Sequence, residues 1–116
     1  MNKAQFKKWS TVVKETAEKL GLHDYQMFVD YKEIECEGNE DVIGATVADI
    51  DNRCANVVLN KEYEGELSDS RIVLNAKHEA LELLFMQVRF MLEEYYSEKI
   101  ADREIHKLIR VFEKLV

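Results

Sequence analysis

The sequence is poor in the residues that interrupt regular structure or cross-link a chain. It has no proline and only four glycines among 116 residues, which predicts few irregular loops. Its two cysteines, Cys36 and Cys54, are too far apart for a zinc-knuckle or redox motif. We expect both thiols to be free, because disulfides are rare in a reducing cytoplasm.

Long apolar segments are absent as well. No run of apolar residues approaches the roughly 20 that a membrane-spanning helix needs. The N-terminal segment, MNKAQFKKWS, lacks the apolar core of a signal peptide. The sequence therefore predicts a cytoplasmic protein that does not act at a membrane.

Positive charge is also scarce. The chain carries 16 lysines and arginines against 23 aspartates and glutamates, for a formal net charge of −7. Nucleic-acid binding depends on clustered basic residues, so we expect no direct nucleic-acid binding. The negative charge is compatible with docking on a protein partner that has a basic surface, although it also serves solubility alone.

The length and the hydrophobic content predict a single globular domain over residues 1–116. Hydrophobic periodicity and turn residues predict the order of its elements. The predicted elements are a helix over 5–20, strands over 25–35, 42–50 and 53–60, a long helix over 70–96 and a last helix over 102–115. This order predicts an α+β fold in which helices pack on one face of a small three-stranded antiparallel sheet. A tight hairpin at Asp51-Asn52 joins the second and third strands, since both residues tolerate positive φ.

The long helix contains the segment most able to carry chemistry. Residues 78–82 read H-E-A-L-E, an H-E-x-x-E pattern in which His78 and Glu82 share a helix face. In the complete H-E-x-x-H motif two histidines bind zinc and the glutamate acts as general base. Glu82 stands where the second histidine would be. Glutamate can also ligate zinc, and a second carboxylate shifts the preference towards harder ions such as manganese.

A third metal ligand must come from another part of the chain. The last helix offers Asp102, Glu104 and His106. Glu104 and His106 lie two positions apart, so a regular helix cannot direct both at one site. The competing interpretation is a solvated helix face at residues 78–82 and a surface histidine at 106.

The pattern of motifs resembles the minimal zincin-like proteins of phage and prophage genomes, which are distantly similar to SprT-type metallopeptidases. The resemblance covers nearly the whole chain. It includes the hairpin pattern A-x-V-x-D-x-x-x-R-x-A-x-V-x-L, which is formed here by Ala45, Val47, Asp49, Arg53, Ala55, Val57 and Leu59. It continues with the helix motif A-x-H-E-x-x-x-L-L and a last helix of the form E-x-x-x-x-L-I-R-x-F-E-K-L.

The resemblance implies a zincin-like fold and a role for each motif residue. His78 takes the first ligand position and Glu79 the position of the general base. Glu104 matches the third ligand that the family places near the start of the last helix, with His106 as the alternative. The second ligand position holds Glu82, a departure from the family pattern. The implied cofactor is a divalent metal ion, zinc or manganese, or none if the site is degenerate.

Two functions follow as expectations. The first is a catalytically degenerate zincin-like protein that acts as an acidic protein-binding module in a host cytoplasm. Its target would be a host nucleic-acid-binding protein or a defence nuclease. The alternative is a metal-dependent hydrolase, a peptidase, with His78, Glu82 and Glu104 as ligands and Glu79 as general base. A further possibility is an oligomeric structural protein that associates through apolar residues on the long helix, such as Phe85, Phe90 and Leu92.

Overall fold

A computed structural model describes residues 2–36 and 38–116. The described part contains four α-helices and three β-strands, which confirms the predicted α+β class. In chain order they are α1 (Lys3–Lys19), β1 (Gln26–Lys32), β2 (Gly44–Asp49), β3 (Cys54–Asn60), α2 (Asp69–Leu84), α3 (Met86–Glu93) and α4 (Glu98–Phe112). None of the helices in this part of the chain has both the length and the apolar character needed to cross a membrane.

The sheet is mixed, so the predicted antiparallel sheet is wrong. The strand order is β1-β3-β2, with β2 antiparallel to β3 and β1 parallel to β3. The predicted hairpin between β2 and β3 forms. Its turn differs from the prediction, because the strands pair only as far as Asp49 and Cys54 and the positive φ, 52°, belongs to Arg53 rather than to Asp51 or Asn52. Side-chain alternation has the same period of two in parallel and antiparallel strands, and therefore carries no information on the direction of β1.

One face of the sheet carries the core. Helices α1 and α2 pack against it, and the main cluster of buried residues combines α1, β3 and α2. Its members are Trp9, Val13, Val57, Leu59, Ile72 and Ala76. The opposite face is more open, with the side chains of Phe28 and Val47 exposed. Strand β2 forms one edge of the sheet and lies beside α2.

The predicted long helix over 70–96 is interrupted. Helix α2 ends at Leu84, Phe85 leaves the helical conformation with φ −92° and ψ 4°, and α3 begins at Met86. No proline or glycine marks this position in the sequence. The ring of Phe85 packs edge-on against Phe112 of α4 at a centroid distance of 5.4 Å. This contact between helices accompanies the break, and a local pattern could not reveal it.

Helix α4 begins earlier than the predicted residue 102. Ser97 caps its N-terminus by accepting a hydrogen bond from the backbone N–H of Ile100. The helix packs on α2 through a second buried cluster of Leu81, Ile105 and Ile109. Asp102 and His106 lie one turn apart on the same face of this helix.

Candidate metal centre

The packing of α4 on α2 brings together polar side chains from both helices. Ile105 and Ile109 are buried against Leu81, and this contact fixes the face that α4 turns towards α2. His106 follows Ile105 and lies at the rim of the interface, opposite His78 and Glu82. The two imidazole rings stack with their centroids 5.5 Å apart.

Nε2 of His78 and Nε2 of His106 both approach the same carboxylate oxygen of Glu82. Oε1 of Glu82 lies 3.4 Å from Nε2 of His78 and 3.1 Å from Nε2 of His106. One ligand atom from each of the three residues lies within 4.8 Å of the others. Two ligands held about 2.1 Å from a tetrahedral zinc ion are about 3.4 Å apart, so the two distances to Oε1 suit ligands of a common metal ion. The group could therefore hold a metal ion, and a His₂Glu set is one that catalytic zinc sites use.

In each histidine the other ring nitrogen, Nδ1, lies within hydrogen-bonding distance of an oxygen atom. Nδ1 of His78 lies 2.9 Å from Oε1 of Glu113, and Nδ1 of His106 lies 2.8 Å from the backbone carbonyl oxygen of Asp102. The carboxylate of Asp102 is also close to this nitrogen, at 3.2 Å. When Nδ1 donates its proton in this way, Nε2 is the nitrogen that remains for a metal. Both rings therefore direct the same kind of donor at the same place.

Arg89 of α3 closes the other side of the cluster. Its Nη2 donates to Oε2 of Glu82 at 2.8 Å and its Nη1 donates to Oδ1 of Asp102 at 2.7 Å. Burial alone would raise the pKa of Glu82. The hydrogen bond with His78 and the charge of Arg89 outweigh burial and hold that pKa below its usual value. Glu82 is therefore ionised at neutral pH.

His78 is charged in the metal-free protein. Its hydrogen bond with Glu82 raises its pKa to about 9, against the opposing effect of burial and with further support from Glu113. A metal ion must displace the proton on Nε2 before it can bind there. Metal binding at this cluster is therefore expected to weaken as the pH falls.

Glu79 is placed differently from its two motif neighbours. Its side chain is buried under β2, where the hydroxyl of Thr46 donates to Oε1 at 2.9 Å. Burial raises the pKa of Glu79 to about 7, although the charge of His78 works in the opposite direction. A carboxyl group that titrates near neutral pH is suited to exchange protons with a reacting group.

A cavity of about 320 Å³ lies between β2 and α2 beside the cluster. His78 and Glu79 both line it, together with Gly44 of β2 and Asn75 of α2. The cavity therefore joins the candidate general base to one of the candidate metal ligands.

The structure does not bring Glu104 to this group. Glu104 lies on the surface, where its carboxylate pairs with Arg103 at 3.2 Å and with Lys107 at 3.3 Å. His106, the alternative third ligand, is the residue of α4 that meets His78 and Glu82. Two positions along a helix correspond to a rotation of about 200°, so one of these side chains must point away.

Arg89, Thr46 and Glu113 were not predicted to belong to the site, and Asp102, which was predicted as one of three candidate ligands, supports His106 instead. One signal for two of them is present in the sequence. Asp102, His106 and Glu113 are spaced by four and seven residues, which puts them on one face of a helix. Arg89 and Thr46 lie on separate elements, and no local spacing relates them to the motif.

Comparison of the chain with protein families, curated proteins and solved structures gives no match. The resemblance to zincin-like proteins stays a prediction that rests on sequence motifs.

Proposed function

We propose that the protein is a metal-dependent hydrolase, of the peptidase type, that binds a divalent ion through His78, Glu82 and His106. The observation that carries this proposal is the convergence of both Nε2 atoms on Oε1 of Glu82. In both histidines Nδ1 lies close to an oxygen atom, of Glu113 for His78 and of Asp102 for His106, which leaves Nε2 for the ion. Two imidazoles and one carboxylate match zinc better than magnesium, which prefers oxygen ligands.

Different residues of the chain would bind the metal ion and transfer the proton. His78, Glu82 and His106 would hold a metal ion that would supply Lewis acidity to a substrate carbonyl and to a water molecule. Glu79 would serve as the proton acceptor beside the ion, because its pKa of about 7 leaves a substantial ionised fraction at neutral pH. Thr46 holds the Glu79 carboxylate against the edge strand by its hydrogen bond to Oε1.

Metal analysis tests the binding part of the proposal. We expect protein purified without chelator to hold close to one equivalent of zinc or to take it up at micromolar concentration. Replacement of His78, Glu82 or His106 by alanine is expected to weaken binding by about a hundredfold or more, since each removes one of three ligands. Glu104→Gln is the matched control on α4 and is expected to bind as the wild type does.

Two results would count against the metal centre. One is less than about a tenth of an equivalent of any divalent ion, with no rebinding at micromolar levels. The other is loss of binding in Glu104→Gln with no loss in His106→Ala. The catalytic part has its own test, in which Glu79→Gln keeps the metal and loses peptide hydrolysis in a casein or peptide-library assay.

A second candidate function is the acidic protein-binding module, and one observation favours it. Arg89 already pairs with Glu82, so the cluster can stand as an ion-pair network without a metal ion. The net charge of −7 would then act on a partner with a basic surface. Metal-free protein would bind such a partner, and binding would weaken steeply with added salt. Partners that persist unchanged at high salt would argue against it.

A further inference from the structure

The preference of a three-ligand site for one metal over another depends on how its carboxylate offers its two oxygens. Zinc is most often four-coordinate, whereas manganese and magnesium favour six ligands with more oxygen. A carboxylate that is free to bind through both oxygens raises the coordination number. A carboxylate with one oxygen already engaged contributes a single bond. The environment of Glu82 should therefore influence metal choice.

The two carboxylate oxygens of Glu82 have different neighbours. Oε1 faces the imidazoles of His78 and His106, and Oε2 accepts a hydrogen bond from Nη2 of Arg89 at 2.8 Å. The side chains of Glu82 and Arg89 are each only 14% exposed, so little water competes for this ion pair. Charge-assisted bonds in such surroundings are among the stronger hydrogen bonds in proteins.

The other terminal nitrogen of Arg89 contacts Asp102, the residue that orients the third ligand, His106. Nη1 donates to Asp102 at 2.7 Å, and Asp102 holds Nδ1 of His106 through its backbone carbonyl and its carboxylate. One guanidinium group thus connects the ligand on α2 with the ligand on α4. The planar fork of arginine makes this double contact, which the single ammonium group of lysine does not reproduce.

We propose that Arg89 is a positioning residue that restricts Glu82 to ligation through Oε1 and so gives the centre its preference for zinc over manganese. This inference rests on the proposed metal centre. Arg89 also offsets the negative charge of Glu82, which counters the loss of Lewis acidity that a carboxylate ligand brings. With Asp102 held by the same group, the ring of His106 would keep one orientation, with Nε2 available to the ion.

The test compares metal preference and coordination number in Arg89→Gln, Arg89→Lys and the control Arg103→Gln. Arg103 is a matched control because it lies on α4 next to Asp102 but pairs with the exposed Glu104. Zinc and manganese dissociation constants are measured by competition with a chromophoric chelator. The visible absorption of the cobalt(II)-loaded proteins reports coordination number, since four-coordinate cobalt absorbs far more strongly than six-coordinate cobalt. Circular dichroism at the assay temperature checks that each variant is folded.

In Arg89→Gln we expect the ratio of manganese to zinc dissociation constants to fall about tenfold or more, with weaker cobalt absorption. Arg89→Lys should lower the ratio of dissociation constants and the cobalt absorption by a smaller amount. If Arg89→Gln does not fold, Arg89→Lys provides the test. Arg103→Gln should match the wild type. A ratio and a cobalt spectrum that stay unchanged in both Arg89 variants would overturn the inference and leave the metal centre intact. Failure of the wild type to bind any of the three metals would overturn both.

Discussion

At the scale of single residues, Glu79 combines burial with a group that can ionise. Its side chain is 4% exposed and its pKa is raised by burial from the usual 4.5 to about 7. The folded protein therefore holds this proton more tightly than the unfolded chain does. The stability that results is complete below about pH 4.5 and is lost as the pH rises through about 7. A protein that keeps such a group sacrifices stability at neutral pH, which is common where function requires an ionisable side chain.

Replacement of Glu79 by glutamine should remove this pH dependence. The amide cannot ionise, and its oxygen can still accept the hydrogen bond of Thr46. We expect the metal-free Glu79→Gln protein to be more stable than the wild type at pH 8, by on the order of 3 kcal/mol at about 1.4 kcal/mol per pKa unit. At pH 4.5 the two should be equally stable. Urea unfolding across this range measures the difference.

His78 adds a second pH dependence. Its pKa is raised from 6.5 to about 9, mainly by the hydrogen bond with Glu82. Its contribution to stability is therefore complete below about pH 6.5 and is lost as the pH rises through about 9. The charge of Glu79 is among the causes that raise the pKa of His78, so the difference at pH 8 includes the effect of Glu79 on His78. Equal stability of the two proteins at pH 8 would contradict a buried carboxyl group with a raised pKa.

At the scale of elements, the close approach of β2 to α2 shapes the cavity. It depends on Gly44, where an added Cβ would lie 2.9 Å from Oδ1 of Asn75 and 3.3 Å from Cγ of Glu79. The same atom would lie 3.1 Å from the backbone carbonyl oxygen of Val58. A side chain at this position would therefore push the edge strand away from the helix that carries the motif.

Gly44→Ala should therefore disturb both stability and the position of Glu79. We expect a loss of about 1–3 kcal/mol in the free energy of unfolding, typical of overpacking, and a lower hydrolytic rate. Val47→Ala is the control, because this residue lies on the same strand and its side chain is 66% exposed. Urea unfolding and the peptide-hydrolysis assay provide the two measurements. A Gly44→Ala protein as stable and as active as Val47→Ala would refute the tight contact.

At the scale of the whole molecule, the candidate ligands connect two parts of the chain. His78 and Glu82 belong to α2, which packs on the sheet with α1, and His106 belongs to α4, which packs on α2 through a separate cluster. A bound ion would link α4 to α2 and stabilise their packing. Ligands that bind only the folded state stabilise it by mass action.

Zinc should therefore raise the melting temperature of the wild type. At a free concentration of about one hundred times the dissociation constant, the gain is about 2.7 kcal/mol, or several degrees for a domain of this size. Scanning calorimetry with zinc and with excess chelator measures the shift. His106→Ala should lose it and Glu104→Gln should keep it. Backbone amides of α4 should exchange more slowly with zinc, and an unchanged exchange rate there would argue against a link between the helices.

Local patterns in the sequence were sufficient for much of the secondary structure. Helical periodicity predicted α1, α2 and α4, and the Asp51-Asn52 turn predicted the hairpin of β2 and β3. The i, i+4 spacing placed His78 and Glu82 on one face of a helix, where the structure also has them. These features depend on residues within one or two turns of each other, so neighbouring positions in the chain are enough to determine them.

The tertiary structure alone decided the direction of β1, the break at Phe85 and the meeting of His106 with the motif. Each depends on contacts between distant segments: the pairing of β1 with β3, the ring contact with Phe112, and the packing of Ile105 on Leu81. The same packing turned Glu104 to the solvent and brought Arg89 and Glu113 to the cluster. Side-chain spacing fixes which residues share a face, but only the packed helices determine which faces meet.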